Sequence, residues 1–339
     1  MWKEARVHRP LVPVAGLLAL AALAGAPASA QAASAPQDAV QVAPAPVPAS
    51  PAAPVVRARF DGLRLLGAPL YLEGSVAPPA AGRLVVALPG GRRTVRVAAD
   101  GRFRVRLASR RAGRLCTTLT LEPAAGGEPV SRSRCTTIRE PRRALGSRGD
   151  SVRYLEERLA KRHYVLARVD GVYRDDTRDA VLAFQKVEGL PRDGVATRRV
   201  WRALLRARTP RPRWSGTYLE VDKRRQILLE VRGGRVTHVS HASTGATGNT
   251  PVGRWRIYRK DAGFNSIGMY YSLYFLRGFA THGYVSVPTY PASHGCVRLP
   301  LWYAPRMYAR WHLGDTVRVH AGASRARATA SPAVGAAPA

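Results

Sequence analysis

The alternation of hydrophobic and polar residues changes twice along the chain. Over residues 56–138 its period is two: at 102–107, arginines alternate with Phe103, Val105 and Leu107, and glycine-containing turns separate such runs. Period-two alternation predicts antiparallel strands with one buried face. We therefore expect a small all-β sandwich of the immunoglobulin-like kind here, with the arginine stripe as its solvent-exposed face.

Residues 141–208 have helical spacing instead. Asp150 and Thr177 each stand before hydrophobic residues spaced three or four apart, as helix N-cap residues do, and a third such run begins near Thr197. An Asp-Gly pair at 170–171 marks a tight turn between the first two runs. The segment is predicted to be a small three-helix bundle.

Residues 214–320 return to strand-like patterns. Three such runs, at 218–221, 226–231 and 235–240, are separated by turn residues and predict a β-meander within a mainly-β domain. A glycine-rich loop follows at 243–253. It lacks the Gly-Lys-Ser/Thr ending and the following helix of a phosphate-binding loop, so a nucleotide site is not expected.

The N-terminus has the composition of an export signal. Basic residues precede an apolar run at 11–24, and Ala-Ser-Ala follows at 28–30. An uncleaved membrane anchor is the alternative, but the run is shorter than the ~20 residues of a membrane-spanning helix and contains Pro13. We expect a signal peptide at 1–30, an Ala/Pro linker at 31–55 and a disordered tail at 321–339. The mature protein would be exported, with no transmembrane anchor after cleavage.

Positive charge dominates the composition. Lys and Arg number 54 against 22 Asp and Glu, which gives a formal net charge of +32, and only five of the 54 are lysine. The excess of arginine fits GC-rich coding as well as selection for a ligand, but such a surface attracts polyanions in either case. Because 46% of the residues are hydrophobic, the chain is not a disordered polycation. Export favours anionic wall polymers as partners and argues against nucleic acid.

The three cysteines are of two kinds. Cys116 and Cys135 lie in one stretch of strand-like sequence and could form a disulfide in an exported protein. Cys296 lies far from both. That assignment leaves one thiol free for chemistry.

The surroundings of Cys296 favour nucleophilic catalysis. A thiol with a pKa of ~8.5 becomes a nucleophile beside an imidazole, and His282 and His294 flank this one. Gly295 would let a substrate carbonyl approach backbone N–H groups, and Arg298 could favour the thiolate or hold a carboxylate. Two alternatives stay open: a buried thiol with unrelated histidines, and a zinc site at His282, His294 and Cys296.

These residues resemble the signature of the L,D-transpeptidase catalytic domain of the YkuD type. That signature is His-Gly, then Ser/Thr-His-Gly-Cys, then Arg or Asn two positions after the cysteine. In this chain the matching residues are His282-Gly283, Ser293-His294-Gly295-Cys296 and Arg298, with upstream agreement at Ser243-Thr244-Gly245, Thr250-Pro251, Gly253 and Met269-Tyr270-Tyr271. Only ten residues, 283–292, separate His282 from Ser293, a shorter connection than in many members.

The resemblance implies acyl transfer on peptidoglycan stem peptides. Cys296 would attack the carbonyl of the third, L-configured residue of a stem tetrapeptide, release D-Ala and form a thioester. His282 would act as general base and then acid, oriented by the Gly283 carbonyl, while backbone N–H groups of Cys296 with Gly295 or His294 would hold the oxyanion. An amine of a second stem would complete a 3→3 cross-link. Ser293 and Arg298 complete the implied catalytic set, and the implied substrate-binding residues are Met269, Tyr271, Ser243, Thr244 and Gly245. The reaction requires no metal or cofactor.

Residues 141–208 resemble the three-helix peptidoglycan-binding domain. The matching residues include Asp170-Gly171-x-Tyr173, Phe184-Gln185 and Asp193-Gly194. The family usually has glycine after the aromatic residue of its turn, where this chain has Arg174. The resemblance implies glycan binding, and a bundle that only spaces the domains is the alternative.

Three other functions stay open from the sequence. Water in place of the amine would make the protein an L,D-carboxypeptidase. A non-catalytic wall-binding scaffold would not need the free thiol, and a secreted nucleic-acid or toxin-like binder would explain the charge but not the signature.

Overall fold

The computed structural model describes residues 53–79, 82–124 and 126–322. The expected signal peptide, linker residues 31–52 and tail residues 323–339 lie outside the described residues. No helix in the described part of the chain combines the length and the apolar character needed to cross a membrane.

Seven strands form the first domain. They are β1 (Val55–Gly62), β2 (Pro69–Ala77), β3 (Gly82–Leu88), β4 (Gly91–Val95), β5 (Arg102–Ala108), β6 (Gly113–Pro123) and β7 (Val130–Ile138). One antiparallel sheet has the order β1-β2-β5 and the other β4-β3-β6-β7. Both contribute buried side chains to one core, among them Leu72, Leu84, Phe103 and Leu119. An immunoglobulin-like topology stays a prediction.

Cys116 and Cys135 are register partners in β6 and β7, and their Sγ atoms are bonded to each other. Neighbouring strands of a sheet lie close enough for a disulfide between directly paired residues.

The outer face of the three-stranded sheet carries most of its arginines. Three rows of register partners make up this face: Arg57-Ser75-Arg102, Arg59-Glu73-Arg104 and Asp61-Tyr71-Arg106. Glu73 pairs with Arg59 at 2.7 Å and Asp61 with Arg104 at 2.8 Å. Arg102 also pairs with Asp100, in the turn before β5, at 3.5 Å. Among the described residues no carboxylate pairs with Arg57 or Arg106, and these two leave the face positively charged. We call these nine residues the arginine face.

Three helices form the second domain: α1 (Asp150–Ala160), α2 (Asp175–Glu188) and α3 (Arg198–Arg206). The third helix lies near Thr197, as expected, and Thr197 is its N-cap residue, although its side chain makes no capping hydrogen bond. The N-cap predictions for Asp150 and Thr177 were wrong. Gly149 caps α1, and α2 begins two residues before Thr177, because Asp175 and Asp176 fill its first turn, where negative charge is favourable.

The structure also accounts for Arg174, which replaces the usual glycine. Its φ of −104° is extended, so the position does not require glycine. Its guanidinium pairs with Asp170 at 2.8 Å across the tight turn. The bundle therefore accommodates arginine here.

Nine strands and one helix form the third domain. They are β8 (Tyr218–Asp222), β9 (Ile227–Arg232), β10 (Arg235–His241), β11 (Gly253–Arg256), β12 (Arg259–Phe264), β13 (Tyr270–Leu276), β14 (Phe279–Tyr284), β15 (Val297–Pro300), α4 (Ala304–Arg310) and β16 (Thr316–His320). One sheet has the order β10-β9-β8-β16-β11 and the other β12-β13-β14-β15. A core that includes Leu219, Leu273, Val297 and Val317 lies between them. The antiparallel β8-β9-β10 run is the expected meander.

Candidate active site

Parallel pairing of β14 with β15 brings the two parts of the sequence signature together. His282 of β14 is the register partner of Arg298 of β15. Register partners present their side chains on the same side of a sheet. Cys296 lies two residues before Arg298, immediately before β15 begins. The two parts of the signature thus lie on adjacent strands.

The His282 ring is buried and oriented by the backbone. Its Nδ1 lies 2.9 Å from the carbonyl oxygen of Gly283, which can only accept, so Nδ1 carries the proton and Nε2 is the basic nitrogen. Burial lowers the pKa of His282 to about 4, and the Arg298 cation adds to this, while the bond to Gly283 opposes it. The imidazole is neutral at neutral pH.

The Cys296 thiol is partly buried and is also neutral at rest. Its Sγ lies 3.5 Å from the Gly278 carbonyl oxygen. Burial raises the pKa of Cys296, and this outweighs a hydrogen bond from the Ala280 backbone and the Arg298 cation, which lower it. Arg298 therefore favours the thiolate without producing it. Such a pair can react if the thiol proton is transferred to imidazole during attack.

The turn that precedes the thiol requires glycine. Gly295 has a φ of +127°, and a Cβ there would lie 2.3 Å from the Phe279 ring. Ser293 ties the turn together, since its Oγ accepts the Gly295 N–H at 3.0 Å and donates to the Cys296 carbonyl at 2.6 Å. The serine therefore holds the backbone of the expected oxyanion region.

The glycine-rich loop lies against this turn. Ser243 exchanges backbone hydrogen bonds with Arg298 at 3.0 and 2.8 Å, and the Thr244 carbonyl accepts from the Ser293 N–H. Thr250 Oγ1 accepts the Gly245 N–H and donates to the Gly295 carbonyl, both at 2.8 Å. The loop fixes the turn through these bonds.

The side chains of Ser243 and Thr244 are buried and already hydrogen-bonded. The Ser243 hydroxyl donates to the Tyr290 carbonyl, and the Thr244 hydroxyl accepts from Gln226. The structure therefore gives these residues, with Gly245, a part in positioning the turn. Their contact with substrate stays a prediction.

Met269 and Tyr271 occupy different places. Met269 is buried with Tyr274 and Ala280, and Cys296 packs against that cluster. The Tyr271 ring contacts those of Tyr270 and Tyr308 instead.

Tyr271 lies in a β-bulge. Tyr270 pairs with Gly283 and Leu273 with Thr281, so two residues, Tyr271 and Ser272, stand opposite His282. Tyr271 has a φ of +50°, the left-handed conformation of the first residue in a G1-type bulge.

Two further cationic or titratable side chains border the site. The Arg298 guanidinium lies 4.2 Å from the centre of the Tyr284 ring, and no carboxylate of the described residues pairs with it. The His294 side chain is exposed, and its carbonyl accepts from Asn249 at 3.0 Å. Arg298 can therefore receive a substrate carboxylate.

A zinc site at His282, His294 and Cys296 was the alternative. Within residues 53–79, 82–124 and 126–322, no three or more His, Cys, Asp or Glu side chains are grouped so that they could hold a metal ion.

The sequence placed Thr250 in a matching motif without giving it a role, and the structure shows that it braces the turn. Asn249, which also braces the turn, was missed by the sequence analysis. Lys186 of α2 contacts His241 at the end of β10, and no local sequence pattern predicts this contact.

Family models match two parts of the chain. Residues 216–319 match the L,D-transpeptidase catalytic domain (YkuD), and residues 148–204 match a peptidoglycan binding domain. Comparison with curated proteins gives no match.

Solved structures with similarity to the chain include two L,D-transpeptidases. That of Xylanimonas cellulosilytica is 37% identical, with a TM-score of 0.50, and the alignment covers 52% of this chain and 97% of that one. That of Stackebrandtia nassauensis is 26% identical, with a TM-score of 0.33, covering 52% and 94%. By its catalytic-domain match and its identity to the first of these structures, the chain belongs to the L,D-transpeptidase family, with a peptidoglycan-binding domain before its YkuD-type catalytic domain.

Proposed function

We propose that this protein is an exported cysteine L,D-transpeptidase that forms 3→3 cross-links in peptidoglycan. One observation carries the proposal: a buried, neutral His282, with Nε2 as its basic nitrogen, is the register partner of Arg298 beside Cys296. A scaffold protein would have no use for a free thiol and a buried base in one place.

Acylation would begin when a stem tetrapeptide places its third carbonyl at Cys296. Sγ attacks the carbonyl carbon while His282 Nε2 takes the thiol proton. The backbone N–H groups of Cys296 and His294 would hold the oxyanion, because the Gly295 N–H already donates to Ser293. When the C–N bond to D-Ala breaks, His282 returns the proton to the leaving amine. A thioester on Cys296 remains.

Deacylation would repeat these steps in reverse. The side-chain amine of a second stem attacks the thioester, and His282 accepts a proton from that amine. The C–S bond then breaks and the proton returns to sulfur, which yields an amide cross-link and the free thiol. If water attacks in place of the amine, the product is a shortened stem, and the activity is that of an L,D-carboxypeptidase.

The proposed partners are stem peptides and glycan. The peptidoglycan-binding domain supports glycan as the second partner, and holding the enzyme on the wall raises the local concentration of stems. Both domains act on the wall, which supports an extracytoplasmic location. The expected signal peptide would be the means of export.

Intact-mass spectrometry of the full-length protein tests this function. Wild type, Cys296→Ala and His282→Gln are each mixed with a stem tetrapeptide, with and without a diamino acid acceptor. Because Cys116 and Cys135 are bonded to each other, Cys296 is the free thiol available for an adduct. We expect wild type alone to gain the mass of the stem without D-Ala and to pass it to the acceptor.

The other outcomes separate the alternatives. An adduct that passes only to water identifies an L,D-carboxypeptidase. No adduct and no D-Ala release from folded wild type would contradict catalysis and favour the wall-binding scaffold. An adduct on Cys296→Ala would contradict the nucleophile assignment.

A further inference from the structure

Side chains from outside hold the loop that joins the two halves of the active site. This active-site loop, residues 284–293, runs from His282 to the turn at Cys296. Three of its carbonyls accept side-chain hydrogen bonds. They are those of Val287 from His241 Nε2 at 2.7 Å, Thr289 from Arg192 at 3.1 Å and Tyr290 from Ser243 at 2.7 Å.

Two of these three bonds depend on the helical domain. Arg192 follows α2 and donates directly to Thr289. His241 belongs to β10, but its other ring nitrogen, Nδ1, lies 2.6 Å from Nζ of Lys186, which reaches across from α2.

Lys186 uses its full capacity to donate at this boundary. Its Nζ lies 2.9 Å from the Gln226 carbonyl, 2.8 Å from the Ala242 carbonyl and 2.6 Å from His241 Nδ1. An ammonium group has three N–H donors, and here three acceptors surround it. Ala242 directly precedes Ser243, and the Gln226 side chain bonds to Thr244, so the lysine holds the start of the glycine-rich loop as well.

The direction of the hydrogen bonds connects Lys186 to the loop. Since the Val287 carbonyl can only accept, His241 Nε2 carries the ring proton. In a neutral ring Nδ1 is then a hydrogen-bond acceptor, and Lys186 is its donor. Burial lowers the pKa of Lys186 and that of His241. A single extra proton on the pair, held between Nζ and Nδ1, is enough to give each of the surrounding carbonyls a donor. Removal of the lysine amine would leave Nδ1 and two carbonyls without this donor.

Only 2% of Lys186 is exposed. Burial of a lysine destabilises the fold unless its hydrogen bonds offset the free energy of desolvation. None of its three partners is a carboxylate, so a simple ion pair does not explain it. All three lead instead to segments that border the catalytic residues.

We propose that Lys186 and Arg192 are positioning residues, through which the helical domain holds the active-site loop and thereby the relative placement of His282 and Cys296. This inference rests on the proposed function for its effect on catalysis. Misplacement of reacting groups by about 1 Å can cost roughly a hundredfold in rate, so a loosened loop should slow acyl transfer. The helical domain would then be part of the catalytic unit as well as a wall-binding domain.

Two readouts on the full-length protein test the proposal. Variants Lys186→Met and Arg192→Ala are compared with wild type and with Lys161→Met, which changes an exposed lysine of the same domain. Hydrogen exchange over residues 284–293 is measured without substrate. Release of D-Ala from the stem tetrapeptide then gives kcat and KM, with kcat expressed per active site from the fraction of protein that forms the adduct.

We expect faster exchange of the active-site loop in both variants and a fall in kcat of about tenfold or more for Lys186→Met, with a smaller change in KM. Lys161→Met should match wild type in both readouts. A purely structural lysine would lower the active fraction but leave kcat per active site unchanged, and that result would overturn the proposal.

The second variant and the exchange measurement separate a folding defect from a loss of function. If Lys186→Met does not fold, Arg192→Ala decides, because Arg192 is exposed and its loss leaves the core intact. Wild-type exchange over 284–293 in a folded Arg192→Ala would then overturn the loop-holding role. If wild type releases no D-Ala, the proposed function fails, and the exchange measurement still decides whether the helical domain holds the loop.

Discussion

At the scale of single residues, burial governs the chemistry of the active site. The same desolvation that lowers the pKa of His282 raises that of Cys296, so both are uncharged at rest. A thiolate–imidazolium ion pair is therefore not the resting form of the two residues. The buried imidazole also makes the stability of the fold depend on pH.

His282 should destabilise the folded state in acid. Its pKa is about 4 when folded and about 6.5 when unfolded, so between these values only the unfolded chain binds the proton. The stability of the fold is therefore undiminished by His282 above pH 6.5 and falls as the pH drops toward 4, below which the full penalty applies. Relative to His282→Gln, wild type should lose on the order of 3 kcal/mol of unfolding free energy across that window. Urea unfolding of both proteins at several pH values measures this, and parallel curves would contradict it.

At the scale of elements, the site is an assembly of one strand pair and two loops. β14 and β15 supply His282 and Arg298, while the glycine-rich loop braces the turn that carries Cys296. Thr250 is central to this brace because its buried hydroxyl both accepts from Gly245 and donates to Gly295.

Replacing Thr250 by valine tests the brace. The shape is kept, but the Gly245 N–H and the Gly295 carbonyl lose their partner, which costs about 1–3 kcal/mol of stability. We expect the rate of D-Ala release to fall roughly tenfold as the turn loosens. Thr217→Val, at an exposed threonine that accepts from Gly233, is the matched control. Equal rates for the two variants would show that the turn does not need the brace.

At the scale of the whole molecule, the described domains share buried contacts. One cluster of buried residues extends from Val56 of the first domain through the helices to Val239 of the catalytic domain. Trp302, beyond β15, also donates to Asp179 of α2 at 2.9 Å. The helical and catalytic domains are thus joined by packing and polar contacts.

The arginine face has the charge that attracts a polyanion. We propose that it binds an anionic wall polymer of the phosphodiester type, because its five arginines exceed what Asp61, Glu73 and the neighbouring Asp100 neutralise. Arg57 and Arg102 also line a cavity of about 810 Å³ on this face.

The proposed polymer contact predicts a salt-dependent affinity. The triple variant Arg57→Gln/Arg102→Gln/Arg106→Gln should bind poly(glycerol phosphate) about tenfold more weakly at low salt, with a smaller salt dependence. Arg92→Gln/Arg93→Gln/Arg114→Gln removes the same charge from exposed positions of the other sheet. Equal losses would mean that net charge alone acts, and tighter binding of duplex DNA than of the polymer would favour a nucleic-acid binder.

Short-range patterns were enough to predict much of the architecture. Period-two alternation located β5, turn residues separated β8, β9 and β10, and three- to four-residue spacing located the helices. The helix starts at Asp150 and Thr177 were misplaced because several polar residues near a start can fill the first turn, and the choice depends on tertiary contacts. Thr177, for example, donates to Glu156 of α1.

The amino-acid sequence by itself determined the family and the candidate nucleophile and base, since His282-Gly283 and the Ser293–Cys296 run are contiguous patterns with specific chemistry. Tertiary structure alone decided the charge states of Cys296 and His282, because desolvation depends on every neighbour that excludes water. It also decided that Lys186 reaches His241, 55 positions away, since only the packing of α2 on the catalytic domain makes that contact.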